Sequence, residues 1–169
     1  MQFGTRWWRR QAVNRTGGPK PQGQATPKTH VYDESADAHA DIEKAVAETR
    51  ADGKRILLVF GANWCPECLA LDARLHEPLS KAVVEMNFHV VHVDIGRGGD
   101  FLDGSPGKNQ DVAKQYEIQL SLGVPAVAVL DPNGRLLYSQ KSGEWTPVGS
   151  PSSTAVVEFL NRWKPAAQK

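Results

Sequence analysis

Six residues, Arg55-Ile56-Leu57-Leu58-Val59-Phe60, stand between Gly53 and Gly61 and lead directly to Trp64-Cys65-Pro66-Glu67-Cys68. A run so dense in Ile, Leu, Val and Phe reads as a buried strand. Beyond it, Leu69, Leu71 and Leu75 carry a helical pattern, so the two cysteines fall at the junction of a strand and a helix. Cysteines three apart in that setting read as a redox dithiol. The helix supplies the first chemical requirement. Its N-terminal amides and dipole favour negative charge, so a thiol in the first turn ionises below the ~8.5 of a free cysteine.

The two sulfurs have unequal parts. Cys65 is expected at the cap of the helix, with its sulfur facing solvent and the free amides, while Cys68, one turn in, points toward the body of the protein. Cys65 is therefore read as the attacking nucleophile and Cys68 as the resolving thiol. Pro66 suits the first helical turn, where its missing N–H has no intrahelical partner. Glu67 acts in two opposed ways, favouring the helix start and opposing a nearby thiolate. A structural zinc site needs four ligands, and these two cysteines with five scattered histidines do not form such a set. A disulfide closing so short a loop would stabilise little.

Charge is distributed unevenly. Residues 1–30 hold Arg6, Arg9, Arg10, Arg15, Lys20 and Lys28 and no acid, a charge of +6, leaving 14 bases against 19 acids, or −5, in the remainder. A mildly acidic folded part gives no support for nucleic-acid binding. Gly17, Gly18, Pro19, Pro21, Gly23 and Pro27 interrupt any period, so residues 1–34 are expected to be a disordered basic tail. Trp7-Trp8-Arg9-Arg10 lacks the apolar stretch that follows a twin-arginine signal, and it is too short for a strong interfacial anchor. No stretch approaches the length of a transmembrane helix. A dithiol works in reducing and oxidising compartments alike. The chain as given is expected to be soluble and cytoplasmic, or periplasmic if an upstream signal precedes it.

Further along, Ala38, Ile42, Ala45 and Val46 predict a helix over 35–52 that stops at Gly53. Pro78 should break or kink the helix after the cysteines, with helical turns resuming over 79–86. Phe88 to Asp94 reads as a second strand, parallel to the first through a right-handed crossover. Residues 95–109 form a Gly- and Asp-rich loop whose acids suggest calcium but whose spacing matches no EF-hand pattern. A helix from Asn109 through Tyr116 should follow. Ala126 to Leu130 and Arg135 to Ser139 form a hairpin around Pro132-Asn133-Gly134. Val156, Phe159, Leu160 and Trp163 predict a closing helix over 154–163 that covers one sheet face, capped by Ser152 or Ser153.

Phe60-Gly61-Ala62-Asn63-Trp64-Cys65-Pro66-Glu67-Cys68, with Gly123-Val124-Pro125 some sixty residues later and the hairpin and terminal helix beyond, resembles the thioredoxin superfamily. The resemblance is narrower to its small thioredoxin-like proteins with an extended middle loop. It implies an α/β thioredoxin fold over residues 35–165, with a central mixed β-sheet flanked by α-helices. It also implies a cis Pro125 facing the cysteines and a Val124 backbone free to pair with an extended substrate. Trp64 and Pro66 would shape the rim that the substrate meets. Two departures stand out. The buried acid that thioredoxins carry six residues before the first cysteine is Val59 here, so water or another group must move the resolving thiol's proton. His92 falls where thioredoxins place a lysine near that acid; it either serves in proton transfer or is simply a histidine of the strand.

The expected activity is thiol–disulfide exchange with protein substrates, more as reductase or isomerase than oxidant, in a bacterial envelope or cytosol. It needs no cofactor and no metal, only a partner dithiol reductase or oxidant, and the chain is expected to act as a monomer. The central Pro66-Glu67 pair is neither that of typical thioredoxins nor that of typical isomerases, so the direction of reaction is open. Rival readings are a soft-metal carrier, holding Cu(I) between Cys65 and Cys68, and a thioredoxin-fold adaptor without turnover.

Overall fold

Asp37 opens the first helix, its carboxylate accepting from the N–H of His39 and Ala40 at 3.0 and 3.3 Å. This helix, α1 (Ala38–Asp52), buries Ala38, Ile42, Ala45 and Thr49 and ends where Gly53 takes φ 74° and donates to the Thr49 carbonyl. It starts three residues later than the spacing predicts, because Asp33 and Ser35 form a hydrogen-bonded turn of their own. The computed structural model describes residues 30–97, 107–140 and 151–166. The basic tail as far as residue 29 and loop residues 98–106 lie outside the described residues.

The apolar run forms β1 (Arg55–Gly61), one of two inner strands of a four-stranded sheet with β2 (Phe88–Asp94), β3 (Ala126–Leu130) and β4 (Leu136–Ser139), in the order β2-β1-β3-β4. It pairs parallel with β2, from Arg55 opposite Phe88 to Gly61 opposite Asp94, and antiparallel with β3. Both faces of β1 are covered, which is why it is apolar at consecutive positions. Ile56, Leu58 and Phe60 pack on one side with α1, with Val112 and Ala113 of α4 (Gln110–Gln115) and with Tyr116, which caps that helix. Leu57 and Val59 pack on the other with α2 (Pro66–Leu75), α3 (Pro78–Asn87) and α5 (Ser153–Trp163). Each such Leu or Ile stabilises the fold by roughly 1.5–3 kcal/mol.

Pro78 divides α2 from α3 and occupies the first turn of the second helix, the position its ring tolerates. The hairpin turns around Asp131, whose Oδ1 accepts from Asn133 N–H and Arg135 N–H at 2.8 and 2.9 Å. Arg135 is thereby held in the turn, and β4 begins one residue later than expected. Ser152 caps α5 through the N–H of Ala155, and Val156 and Leu160 are fully buried. Tyr138 of β4 stacks against Phe159 and Trp163 at 5.4 and 4.9 Å between ring centroids.

Val31 and Tyr32 fall inside the stretch expected to be tail, yet both are tied to the fold. Asn63 Oδ1 accepts from both backbone N–H groups, at 2.9 and 3.0 Å, and Asn63 Nδ2 donates to the Tyr32 carbonyl at 2.8 Å. Tyr32 is consequently buried, only 3 % exposed.

Candidate active site

Between β1 and α2 the chain turns through Ala62, Asn63 and Trp64, closed by the Cys65 N–H donating to the Ala62 carbonyl at 3.1 Å. Cys65 then takes an extended conformation at the N-cap of α2, and its Sγ accepts from the Cys68 N–H at 3.3 Å. Sulfur thus fills the place that a Ser or Asp oxygen takes at an ordinary helix start, so the amide field of the first turn is aimed at Sγ. Pro66 follows in the first turn, exposed like Glu67, while Cys68 is fully buried one turn in. The two sulfurs are joined in a disulfide.

Cys65 Sγ lies 3.7 Å from the carbonyl oxygen of Val124, and the Val124–Pro125 bond is cis. Two segments some sixty residues apart therefore meet at the sulfur. Pro125 is buried and Val124 half-buried. Trp64, next to Cys65, is 50 % exposed and is fixed by its Nε1–H donating to the Gly96 carbonyl at 2.7 Å. Cys65 is less open than expected: only 4 % exposed, packed with Tyr32, Cys68, Val31 and Val124. The N-terminal residues cover it from the side that sequence reasoning left to solvent.

Beneath the pair lies a polar cluster that the sequence reading did not assemble. Val59 is fully buried and opposes His92 across the β1–β2 ladder, so the thioredoxin acid position is indeed apolar. A buried acid is nonetheless present. Asp72, one turn beyond Cys68 on α2 and 2 % exposed, places Oδ1 3.1 Å from His92 Nε2 and Oδ2 3.5 Å from His76 Nδ1. The Asp72–His92 contact is an ion-pair distance without hydrogen-bond alignment. Asp72, His76 and His92 line one wall of an open groove of about 590 Å³. Asp94 is a second buried carboxylate, 3.3 Å from Lys108 Nζ.

Tyr32 sits between these acids and the sulfurs, with the His92 ring edge-on to it at 5.3 Å. Burial, with Asp72 and then Asp94 adding to it, pushes the Tyr32 phenol well above its ordinary value of 10.0. The hydroxyl therefore stays protonated. The spacing of Asp72 four residues after Cys68 is a legible signal, since i and i+4 share a helix face. No local signal marks Tyr32. Among the described residues, no group of three or more His, Cys, Asp or Glu side chains is placed to hold a metal ion, and no helix is long and apolar enough to cross a membrane.

Known proteins resemble this chain in sequence and in fold. A disulphide isomerase from Xylella fastidiosa Temecula1 is 34 % identical and superposes with a TM-score of 0.68, over 78 % of this chain and 94 % of that one. The C-terminal domain of Neisseria meningitidis DsbD in its oxidised form shares the fold, with a TM-score of 0.53 at 20 % identity over 76 % of this chain and 97 % of that one. A probable nucleoredoxin 3 of Oryza sativa subsp. japonica is 30 % identical over 96 residues, which are 50 % of this chain and 20 % of the rice protein. The chain thus matches about a fifth of that relative's length. A family model described as Thioredoxin-like matches residues 37–132. That match spans more than half the sequence and takes in β1, the cysteine pair and Val124-Pro125, so this chain belongs to the thioredoxin-like family.

Proposed function

We propose that this chain is a protein thiol–disulfide oxidoreductase that works as a reductase or isomerase through Cys65 and Cys68. The observation that carries the reading is the N-cap geometry: the Cys68 amide points at Cys65 Sγ from 3.3 Å, so negative charge on that sulfur is stabilised at the moment it attacks. In the dithiol form the Cys65 thiolate attacks one sulfur of a substrate disulfide. A Cys65–substrate bond forms, and the other substrate sulfur leaves as a thiolate that takes a proton from water. Cys68 then gives up its proton, which passes in the net to the departing substrate sulfur, and attacks Cys65 Sγ, forming the Cys65–Cys68 disulfide and releasing the second substrate thiol. The substrate has gained two electrons, which a partner dithiol restores to the pair.

Isomerisation uses the same first step, but a second substrate thiol resolves the mixed disulfide and no net electrons pass. The likeness to a disulphide isomerase at 34 % identity supports keeping this branch. Val124, half-buried and 3.7 Å from the attacking sulfur, offers an extended substrate a backbone to pair with, and Trp64 and Pro66 form the opposing rim. Insulin reduction by purified protein tests the reading: wild type turns over with a dithiol donor, and Cys65→Ser does not. Turnover by Cys65→Ser would overturn it. Equilibration with glutathione buffers assigns the direction. A potential near or below about −250 mV fits a reductase, and one near about −150 mV fits an isomerase or oxidant.

A further inference from the structure

Tyr32 is a buried phenol whose hydroxyl has no hydrogen-bond partner among the described residues. Leaving such a group unpaired is costly, and a native fold keeps few of them without a reason. Its position supplies one. A Cβ on Gly61 would lie 2.7 Å from Cys68 Sγ and closer still to the Tyr32 hydroxyl, so the two atoms are no farther apart than twice that distance. Only the absence of a side chain at Gly61 leaves room for them to meet. In the disulfide Cys68 carries no charge; when the bond opens, a sulfur that is fully buried in the disulfide form takes up negative charge with little solvation.

We propose that the Tyr32 hydroxyl donates a hydrogen bond to Cys68 Sγ once the disulfide opens, stabilising the resolving thiolate in the place of the acid that Val59 displaces. This rests on the redox reading of the cysteine pair and adds the group that serves its second step. The charged and titratable groups facing Tyr32 are Asp72 from α2, His92 and Asp94 from β2, and the two cysteines of the site. Both carboxylates oppose ionisation of the phenol, so it acts as a donor and not as a base. During resolution the Cys68 proton leaves to water or a carboxylate, the Cys68–Cys65 bond forms, and the bond from Cys65 to the substrate breaks. The tyrosine keeps its own proton throughout.

The test uses the full chain, reduced, with a chromogenic aryl disulfide as probe. Its first released thiolate reports attack by Cys65 and its second reports resolution by Cys68. In Tyr32→Phe the first phase is expected to be unchanged, and the second to slow about tenfold near neutrality, with its pH profile displaced upward. A tyrosine that only packs would leave that profile where it is in wild type, and an unshifted second phase with a normal first phase overturns the proposal while the redox reading stands. Absence of both phases in wild type overturns both. If Tyr32→Phe does not fold, 3-fluorotyrosine at the same position keeps the shape and strengthens the donor, so the second phase must then accelerate.

Discussion

Replacing Gly61 by alanine puts a methyl group against both Cys68 Sγ and the Tyr32 ring. The new carbon would sit 2.7 Å from Cys68 Sγ and 2.7 Å from Tyr32 Cζ, well inside ordinary contact. Neither neighbour can withdraw freely. Cys68 is held in the first turn of α2, Tyr32 is pinned through Asn63, and Gly61 itself is fixed by its pairing with Asp94 and by its carbonyl, which accepts from the Ile95 N–H at 3.0 Å. Overpacking of this kind costs about 1–3 kcal/mol. Losing glycine's freedom in the unfolded chain returns about 0.4–1 kcal/mol. Taking the middle of each range, the net loss is about 1.3 kcal/mol, which corresponds to a fall in Tm of about 3–5 °C for a chain of this size. Thermal unfolding of the oxidised protein, followed by circular dichroism, reads it directly. A Tm equal to or above wild type would mean that Tyr32 moves aside at no cost, and the packing of residues 31–32 under the active site would be wrong.

Asn63→Ala removes three hydrogen bonds to Val31 and Tyr32 and should destabilise the protein by about 1–3 kcal/mol, read as a lower urea midpoint with unchanged slope. An unchanged midpoint would release the N-terminal residues from the fold. Asp131 predicts an acid-side loss of stability. Burial alone would raise its carboxyl, but hydrogen bonds from Arg135 and Asn133 outweigh it and hold the group below its ordinary 3.8. A depressed folded value contributes stability above the unfolded value and loses it as pH falls through the folded one, so the loss falls below about pH 4. In Asp131→Asn that part of the pH dependence should flatten; an identical acid profile would refute it. Trp64→Ala should raise KM for a protein disulfide while leaving the rate with a small aryl disulfide nearly unchanged, because the indole is half exposed beside Cys65 and its N–H is bonded to Gly96 and to neither sulfur. Equal losses with both substrates would give Trp64 a role in the chemistry itself.

The strands and the cysteine pair were legible because their signals are local. An all-apolar β1 announces two covered faces, Pro78 announces a break, and cysteine spacing at a strand–helix junction announces the N-cap that Cys65 occupies. Pro125 was found only through resemblance, since nothing in a Gly-Val-Pro triplet says that it lies against a sulfur some sixty residues away. The polar cluster was legible only in the spacing of Asp72 after Cys68, and its assembly with His92 was not. Val59 showed correctly that the expected acid is absent from β1, but an acid returning from α2 depends on helix phase and on how α2 lies over the sheet. Tyr32 is further from reach. It is buried because a side-chain amide 31 residues later captures its backbone, and the surrounding Gly- and Pro-rich sequence carries the composition of a tail.

The central claim, that Cys65 attacks and Cys68 resolves, is tested most directly by trapping. Cys68→Ser protein, reduced and mixed with insulin, should accumulate a covalent adduct on Cys65 that a dithiol releases, and Cys65→Ser protein should form none. An adduct on Cys68 in the Cys65→Ser protein, at a rate matching the first, would contradict the assignment of roles and the N-cap argument behind it.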